Sequence, residues 1–481
     1  MRRAEALVLL RPNKQFRWPD LARTGQRHFE AGDLLHRSSA EPRDLEAVRR
    51  FAQTHGLRVL SVNTRTRTMV VRGPEAALAR LKKLTPVRGV FGLDDHPTVK
   101  RPGRQKFPPE ESLIPPPVTP NTRPPKDFRD LYHFPKHATG EGQFVGVLEF
   151  GGGFRRHKLR SYLQKLGVPL PRIIVREIPP AKNQPASRMR MLSPDAEVYQ
   201  DLEVLASVAP HATLVVYFAE NSTRGWMDAL DAAIFDPRYP LSVLSISWGQ
   251  AETQWDRAAI QAIDHRFQMA GLLGITVCCS SGDRGVFEDG ARPYTVPFPA
   301  SSPHVLACGG TQLDVLSGGR TRETVWNQSH SAGVVAGGGL SSIFALPPFQ
   351  KGHGVAHHSH ARSPGRGIPD VAANASSTTG YLIWADDIAM SLGGTSASAP
   401  LWAGLVACLN QALGRRIGYL TPLLYGTKPH PGLRGISEGN NRMEGRQGYD
   451  ARKNWDPCTG LGTPHGDRLL KWLRQVFDRE Y

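Results

Sequence analysis

The chain has 481 residues, 40% of them hydrophobic, and a formal net charge of +17. That length suffices for two or more domains with their own cores, and no run approaches the ~18 apolar residues of a membrane span. The basic residues are dispersed, with one modest cluster at Lys100-Arg101-Pro102-Gly103-Arg104-Gln105-Lys106. With no zinc finger, RNP motif or aromatic-interleaved basic strip, the charge reads as solvated surface and not as a nucleic-acid footprint.

In chain order, the first stretch, Met1 to Leu10, contains Glu5, has a short apolar core and ends at Arg11-Pro12. It is a strand over 6–10 and not a secretory signal. Residues 44–55 form an amphipathic helix with Leu45, Val48 and Ala52 on one face. Strands at 57–62 and 68–71 suit a hairpin, and Pro74 opens a second helix over 74–84. Residues 1–95 are thus a small α+β unit. A Pro- and Lys/Arg-rich tract, 96–126, comes next as an exposed, cleavable linker. From 127 onward, apolar strand-like runs at 144–148, 213–218, 241–247, 275–279 and 305–308 alternate with helical segments around 156–166, 195–208, 224–234 and 256–273. That alternation predicts an α/β fold with a largely parallel sheet flanked by helices.

Five cysteines, Cys278, Cys279, Cys308, Cys408 and Cys458, are an odd number, and four lie in apolar runs. They suit buried thiols better than a disulfide framework, and no spacing suits zinc.

The most informative segment is Gly393-Gly394-Thr395-Ser396-Ala397-Ser398-Ala399-Pro400, followed by an apolar run. Two glycines and a threonine deliver Ser396 to a helix start, with Pro400 expected in the first turn. A helix N-terminus favours developing negative charge. On local grounds alone, the same residues are equally a Gly-Thr-Ser helix cap. This segment also occurs in subtilisin-like proteases, but the accompanying Asp-Thr/Ser-Gly and His-Gly-Thr-His motifs are absent. The histidines from His353 to His360 sit in a Gly- and Ser-rich run that suits a surface loop. Another base is needed.

The run from Ser193 to Pro210 offers one. Ser193 caps, Pro194 takes the first helical position and Pro210 stops the helix. Glu197 and Asp201 are four apart and share a face, which continues through Val204 and Val208, so the pair extends an apolar face and not a solvated edge. Such a pair titrates as a unit with at least one pKa raised. Asp283 comes after the predicted strand 275–279 at its carboxyl end, where α/β sheets build sites, although a turn aspartate is common there.

Together these segments resemble the sedolisin family of serine-carboxyl peptidases, in particular its kumamolisin-like members. The likeness runs from about Asp127 to the C-terminus. It includes Gly146-Val147-Leu148-Glu149-Phe150, the Glu197 helix, Ser245-Ile246-Ser247-Trp248-Gly249, Ser281-Gly282-Asp283, Phe298-Pro299-Ala300, Ala307-Cys308-Gly309-Gly310-Thr311, the serine segment and Trp455-Asp456-Pro457-Cys458. The resemblance implies a subtilisin-like sheet preceded by an α+β propeptide domain. It makes Ser396 the nucleophile, Glu197 its general base, Asp201 the carboxylate that orients Glu197, and Asp283 the acid that stabilises the oxyanion. Glu149 and Trp248 match positions that extend the Glu197 hydrogen-bond network.

The likeness further implies an acid-active endopeptidase of proteins and peptides. It is made as a self-processing zymogen inhibited by its own propeptide, monomeric and extracellular, with 1–95 as propeptide, cleavage within 96–126 and 127–481 as catalytic domain. A tripeptidyl exopeptidase, or a non-catalytic peptide-binding protein on the same fold, are the alternatives. Family members also hold one Ca2+ near the C-terminus through two aspartates, backbone carbonyls and water. Asp456 matches the second aspartate, and carbonyls at Ile436, Arg452 and Asn454 are available. Gly435 stands where the first aspartate is expected, so the site is degraded unless Asp450 or Glu438 compensates. Pro297 replaces an aspartate that shapes specificity in some kumamolisins, so the substrate preference differs in an unspecified direction.

Overall fold

The structure, a computed structural model, describes residues 3–13, 29–93, 118–186, 194–358 and 364–478. Ser193, most of the 96–126 tract and His360 lie outside them. The N-terminal unit comprises β1 (Arg3–Leu10), α1 (Ala31–Ser38), α2 (Pro42–Thr54), β2 (Arg58–Asn63), β3 (Thr68–Pro74), α3 (Glu75–Arg80) and β4 (Val87–Phe91). Its sheet is antiparallel in the order β2-β3-β1-β4. Helix α2 buries Leu45, Val48 and Ala52, as its periodicity requires. Asp44 is buried beside them because Arg11 donates to both its oxygens at 2.7 Å. The expected helix over 74–84 is shorter. Pro74 caps α3 from outside, and Leu81–Lys83 tightens into a 3-10 turn. Sequence periodicity missed α1 and β4; in β4, Arg88 and Gly89 interrupt the apolar run.

The larger unit contains β5 (Phe144–Glu149), α4 (Arg156–Lys165), β6 (Arg172–Glu177), α5 (Pro194–Val208), β7 (Thr213–Phe218), α6 (Thr223–Phe235), β8 (Val243–Ile246) and α7 (Arg257–Leu272). It continues with β9 (Thr276–Ser280), β10 (Leu306–Val315), β11 (Thr321–Val325), β12 (Val371–Asn374), α8 (Thr395–Leu413) and α9 (Gly466–Asp478). The strands run β11-β10-β9-β8-β5-β7-β6, with β12 also on β10. Every pairing is parallel except β10 with β11. Side-chain caps start two of the helices: Ser222 accepts from the Gly225 N–H, and Asp256 from those of Ala258 and Ala259. The core of one sheet face is built from α5, α8 and α9, and that of the other from α6 and α7. Strand β5 lies between β7 and β8, so the strand order reverses there. The carboxyl ends of β5, β8 and β9 share the edge at which α/β sheets place their sites.

The N-terminal unit packs on α6 and α7. Leu7, Leu9, Leu34, Leu35 and Phe91 share an apolar cluster with Trp226, Leu230, Ile263 and Phe267. The Phe29 N–H donates to the Leu272 carbonyl at 2.8 Å, and Arg224 lies 3.5 Å from Glu5. Arg67, in the β2–β3 turn, is buried and donates to the Leu10 carbonyl at 3.4 Å. Its charge acts on Arg266 and Asp231, which are themselves joined at 2.8 and 2.9 Å. His265 on α7 feels Arg67 from across the interface, Asp264 and Arg266 from its own helix, and His304 from the loop before β10.

Burial, and then the Arg67 charge, lower the His265 pKa to about 4. Undocking removes the Arg67 charge, and with it that part of the depression, so His265 moves back towards its ordinary value of about 6.5. The undocked state therefore binds more protons between those values. Docking is strongest above about pH 6.5 and weakens as pH falls towards about 4, by at most about tenfold per unit. In a Ser396→Ala chain, deuterium uptake by α7, corrected for intrinsic exchange, is expected to rise on acidification across that window, and to rise less with His265→Gln. Uptake that ignores pH would refute the linkage.

Candidate active site

Helix α5 begins at Pro194 and ends just before Pro210. Every residue after Pro194 is buried. The sequence contrast between an apolar face and a solvated edge therefore does not apply, because α5 has no solvated edge. Glu197 and Asp201 point to one side and are fully buried. Glu203 points elsewhere and accepts the Trp384 N–H at 2.8 Å. Burial pushes its pKa well up, which favours its neutral form.

Helix α8 starts at Thr395 and presents Ser396 as its second residue, nearly buried. Gly394 precedes it with φ +85°, and a Cβ there would lie 2.7 Å from Asp283 Oδ2. Backbone conformation and close approach thus both demand glycine. Pro400 is the sixth helical residue, not a first-turn residue as the sequence suggested. An N–H at position 400 would have bonded the Ser396 carbonyl. That carbonyl instead has Ser247 Oγ at 3.2 Å.

Ser247 ties the two helices together. It lies just after β8, is fully buried, and places Oγ 2.7 Å from Asp201 Oδ1 as well as near the Ser396 carbonyl. Further along, Gly404 meets Val208, where a Cβ would come within 2.3 Å of Cγ2. Asp201 thus neighbours Ser396, and Val208 neighbours Gly404. The helices run side by side in the same direction, with Glu197 one turn beyond Asp201 towards the end where Ser396 is presented.

Asp283, after β9, reaches the same helix start. Its Oδ1 accepts both the backbone N–H and the hydroxyl of Thr395 at 2.8 Å, while the Gly282 N–H donates to Thr395 Oγ1 at 3.0 Å. Glu149, ending β5, accepts from Trp248 Nε1 at 3.0 Å. The structure thus gathers Glu149, Glu197, Asp201, Trp248, Asp283 and Ser396 at one sheet edge.

Two residues here were missed. Ser247 looked like any serine ending a strand. Glu288 is buried, and a Cβ at Gly282 would lie 2.5 Å from its Oε2. Burial raises its pKa to about 8, the Arg284 charge lowers it, and the Asp283 charge raises it further. Neither residue carries a sequence signal beyond its proximity to quoted motifs. The histidine run also differs from expectation: His353 is buried edge-on against Tyr425.

The Asp456 carboxylate accepts N–H groups from Cys458 and Thr459 at 2.8 and 2.9 Å on Oδ1, and the Thr459 hydroxyl at 3.2 Å on Oδ2. Ile436 is buried and Asn454 has φ +71°, but Gly435 supplies no oxygen from a side chain. The candidates for compensation are engaged elsewhere: Asp450 pairs with Arg442 and Glu438 with Arg322. No cluster of three His, Cys, Asp or Glu side chains suited to a metal occurs among the described residues. One carboxylate where two are expected lowers the charge offered to a hard cation, whose other oxygens would come from backbone carbonyls and water.

The parallel sheet, its flanking helices and a serine at the start of α8 define a subtilisin-like serine peptidase. Residues 194–423 match the subtilase family. Kumamolisin from Bacillus sp. (strain MN-32) is 38% identical over 479 residues, covering 93% of this chain and 86% of the relative. Tripeptidyl-peptidase 1 from Dictyostelium discoideum is 32% identical, covering 58% of this chain and 48% of the relative. The solved structure of Pseudomonas sedolisin, a serine-carboxyl proteinase complexed with two molecules of pseudo-iodotyrostatin, superposes with TM-score 0.65 at 28% identity, over 74% of this chain and 99% of that one. The chain belongs to the sedolisin family of serine-carboxyl peptidases.

Gly394→Ala is expected to destabilise the fold by roughly 1–3 kcal/mol in urea unfolding; unchanged stability would contradict the strained turn. Thermal unfolding is expected to be the same in excess calcium and in EDTA, whereas Asp456→Ala lowers the midpoint equally in both. A calcium-dependent rise in the wild-type midpoint would restore the metal site.

Proposed function

We propose that this peptidase is an acid-active serine-carboxyl endopeptidase that forms an acyl-enzyme on Ser396, with Glu197 as base and Asp283 as oxyanion stabiliser. The observation that carries this reading is that the groups tied to the start of α8 are carboxyls: Asp201 through Ser247, and Asp283 through Thr395. A histidine base, with a pKa of about 6.5, is protonated below about pH 5. A glutamate paired with an aspartate retains basicity there.

Ser396 Oγ attacks the scissile carbonyl carbon while Glu197 takes its proton. Asp283, protonated, donates a hydrogen bond to the oxyanion. Collapse of the intermediate breaks the C–N bond, and Glu197 returns the proton to the leaving amine. Water, deprotonated by Glu197, then attacks the ester and releases Ser396. Thr395 holds Asp283 Oδ1, so the partner oxygen beside Gly394 is the one placed for the oxyanion.

The N-terminal unit is read as an inhibitory propeptide, removed by cleavage in the basic linker under acid. A monomer working outside the neutral cytoplasm fits that acid dependence. The endopeptidase reading is preferred to tripeptidyl release because the kumamolisin match runs through 93% of the chain, against 58% for the tripeptidyl-peptidase.

Peptides with blocked amino ends are expected to be cleaved at pH 4 and not at pH 7.5, with all cleavage lost in Ser396→Ala. Cleavage only of free amino ends would favour the exopeptidase, and none by a folded wild type would favour a binding role. Asp283→Ala is expected to lower kcat by ~10²–10³ while leaving the protein folded; near-wild-type turnover would remove Asp283 from the mechanism.

A further inference from the structure

Ser247 has a geometry that the mechanism above does not use. Its hydroxyl has one proton and two acceptors within reach: Asp201 Oδ1 at 2.7 Å and the Ser396 carbonyl at 3.2 Å. Pro400, four residues after Ser396, cannot supply the helical N–H which that carbonyl would otherwise accept. The hydroxyl, Asp201 and Ser396 are all buried, so water does not readily substitute.

A hydroxyl can donate to only one of these acceptors at a time. While Asp201 is ionised, the shorter, charge-assisted bond to the carboxylate wins. When Oδ1 carries a proton, it donates to Ser247 Oγ, and the serine proton turns to the Ser396 carbonyl. The titratable groups gathered around this edge are Glu197 on the same helix, Glu149 from the end of β5 and Asp283 from the end of β9. Ser396 faces it from α8.

We propose that Ser247 is a positioning residue whose hydroxyl rotates between Asp201 and the backbone of the nucleophile, coupling the protonation of the carboxylate pair to the placement of Ser396. The inference rests on the peptidase reading for its kinetic consequence, but not for its structural one. Donation to Asp201 favours the carboxylate form over the neutral acid. Without the hydroxyl, Asp201 gains its proton at higher pH and the carboxylate pair loses basicity sooner on acidification.

The test is the pH profile of kcat/KM for the acid-activated full chain and for Ser247→Ala. The expected result is an acid limb moved up by about half to one pH unit, with kcat about tenfold lower and KM within about twofold. Ser247→Cys, of similar size with a weaker donor, is expected to fall between, and it stands in if the alanine variant does not fold. An equal loss at every pH, with the limb in place, would reduce Ser247 to packing and overturn the proposal.

A second measurement needs no turnover. In a Ser396→Ala background, Ser247→Ala is expected to lower the thermal midpoint more at pH 7 than at pH 3. The charge-assisted bond to the ionised carboxylate contributes more than the neutral bonds that replace it on protonation, which sets the sign. A pH-independent difference would overturn the proposal. An inert wild type with this pH-dependent difference intact would instead reject the peptidase reading and keep Ser247.

Discussion

Burial of carboxyl groups is the constraint on which the rest of this structure depends. Helix α5 has no solvated side, yet it carries Glu197, Asp201 and Glu203. A buried carboxylate without partners is costly, so each must be neutral or hydrogen-bonded. Glu203 meets the demand on a backbone N–H, with burial favouring its neutral form. Asp201 meets it through Ser247. Glu288 repeats the theme on the far side of Asp283, where burial favours its neutral form. A site built this way gathers carboxyl groups where the histidine triad of other serine hydrolases places an imidazole.

The second constraint is the closeness of α5 and α8. Gly404 lets the helices touch at Val208, and that contact fixes their register one turn at a time back to Asp201 and Ser396. The start of α8 is then stitched to β9 by Thr395 and Asp283. Packing distant from Ser396 therefore sets its position as firmly as its own loop does. On the opposite sheet face, α6 and α7 bear the N-terminal unit, whose buried Arg67 confronts Arg266 and His265.

Much of this was legible in the sequence. The strands of the parallel sheet are short apolar runs whose character does not depend on context, and the helices between them carry their own caps and prolines. Ser396, Glu197, Asp201 and Asp283 stood in ordered motifs, and the structure gathers them at one edge. Strand β4 was hidden because Arg88 and Gly89 break its pattern, and α1 because its eight residues are too few to establish a period. The calcium residues show the converse. Asp456, Asp450 and Glu438 are legible as acids in the sequence, but that Asp456 accepts from Cys458 and Thr459 while arginines hold Asp450 and Glu438 depends on packing.

The sequence by itself determined the family and the alternating fold, because these arise from local residue patterns. Only the tertiary structure decided that Pro400 lies beyond the first turn and leaves the Ser396 carbonyl without its helical donor, that Ser247 reaches that carbonyl instead, and that Glu288 is buried beside Asp283. Each of those depends on which distant segments meet. Burial and hydrogen-bond partnership are properties of the packed chain, and no spacing along it records them.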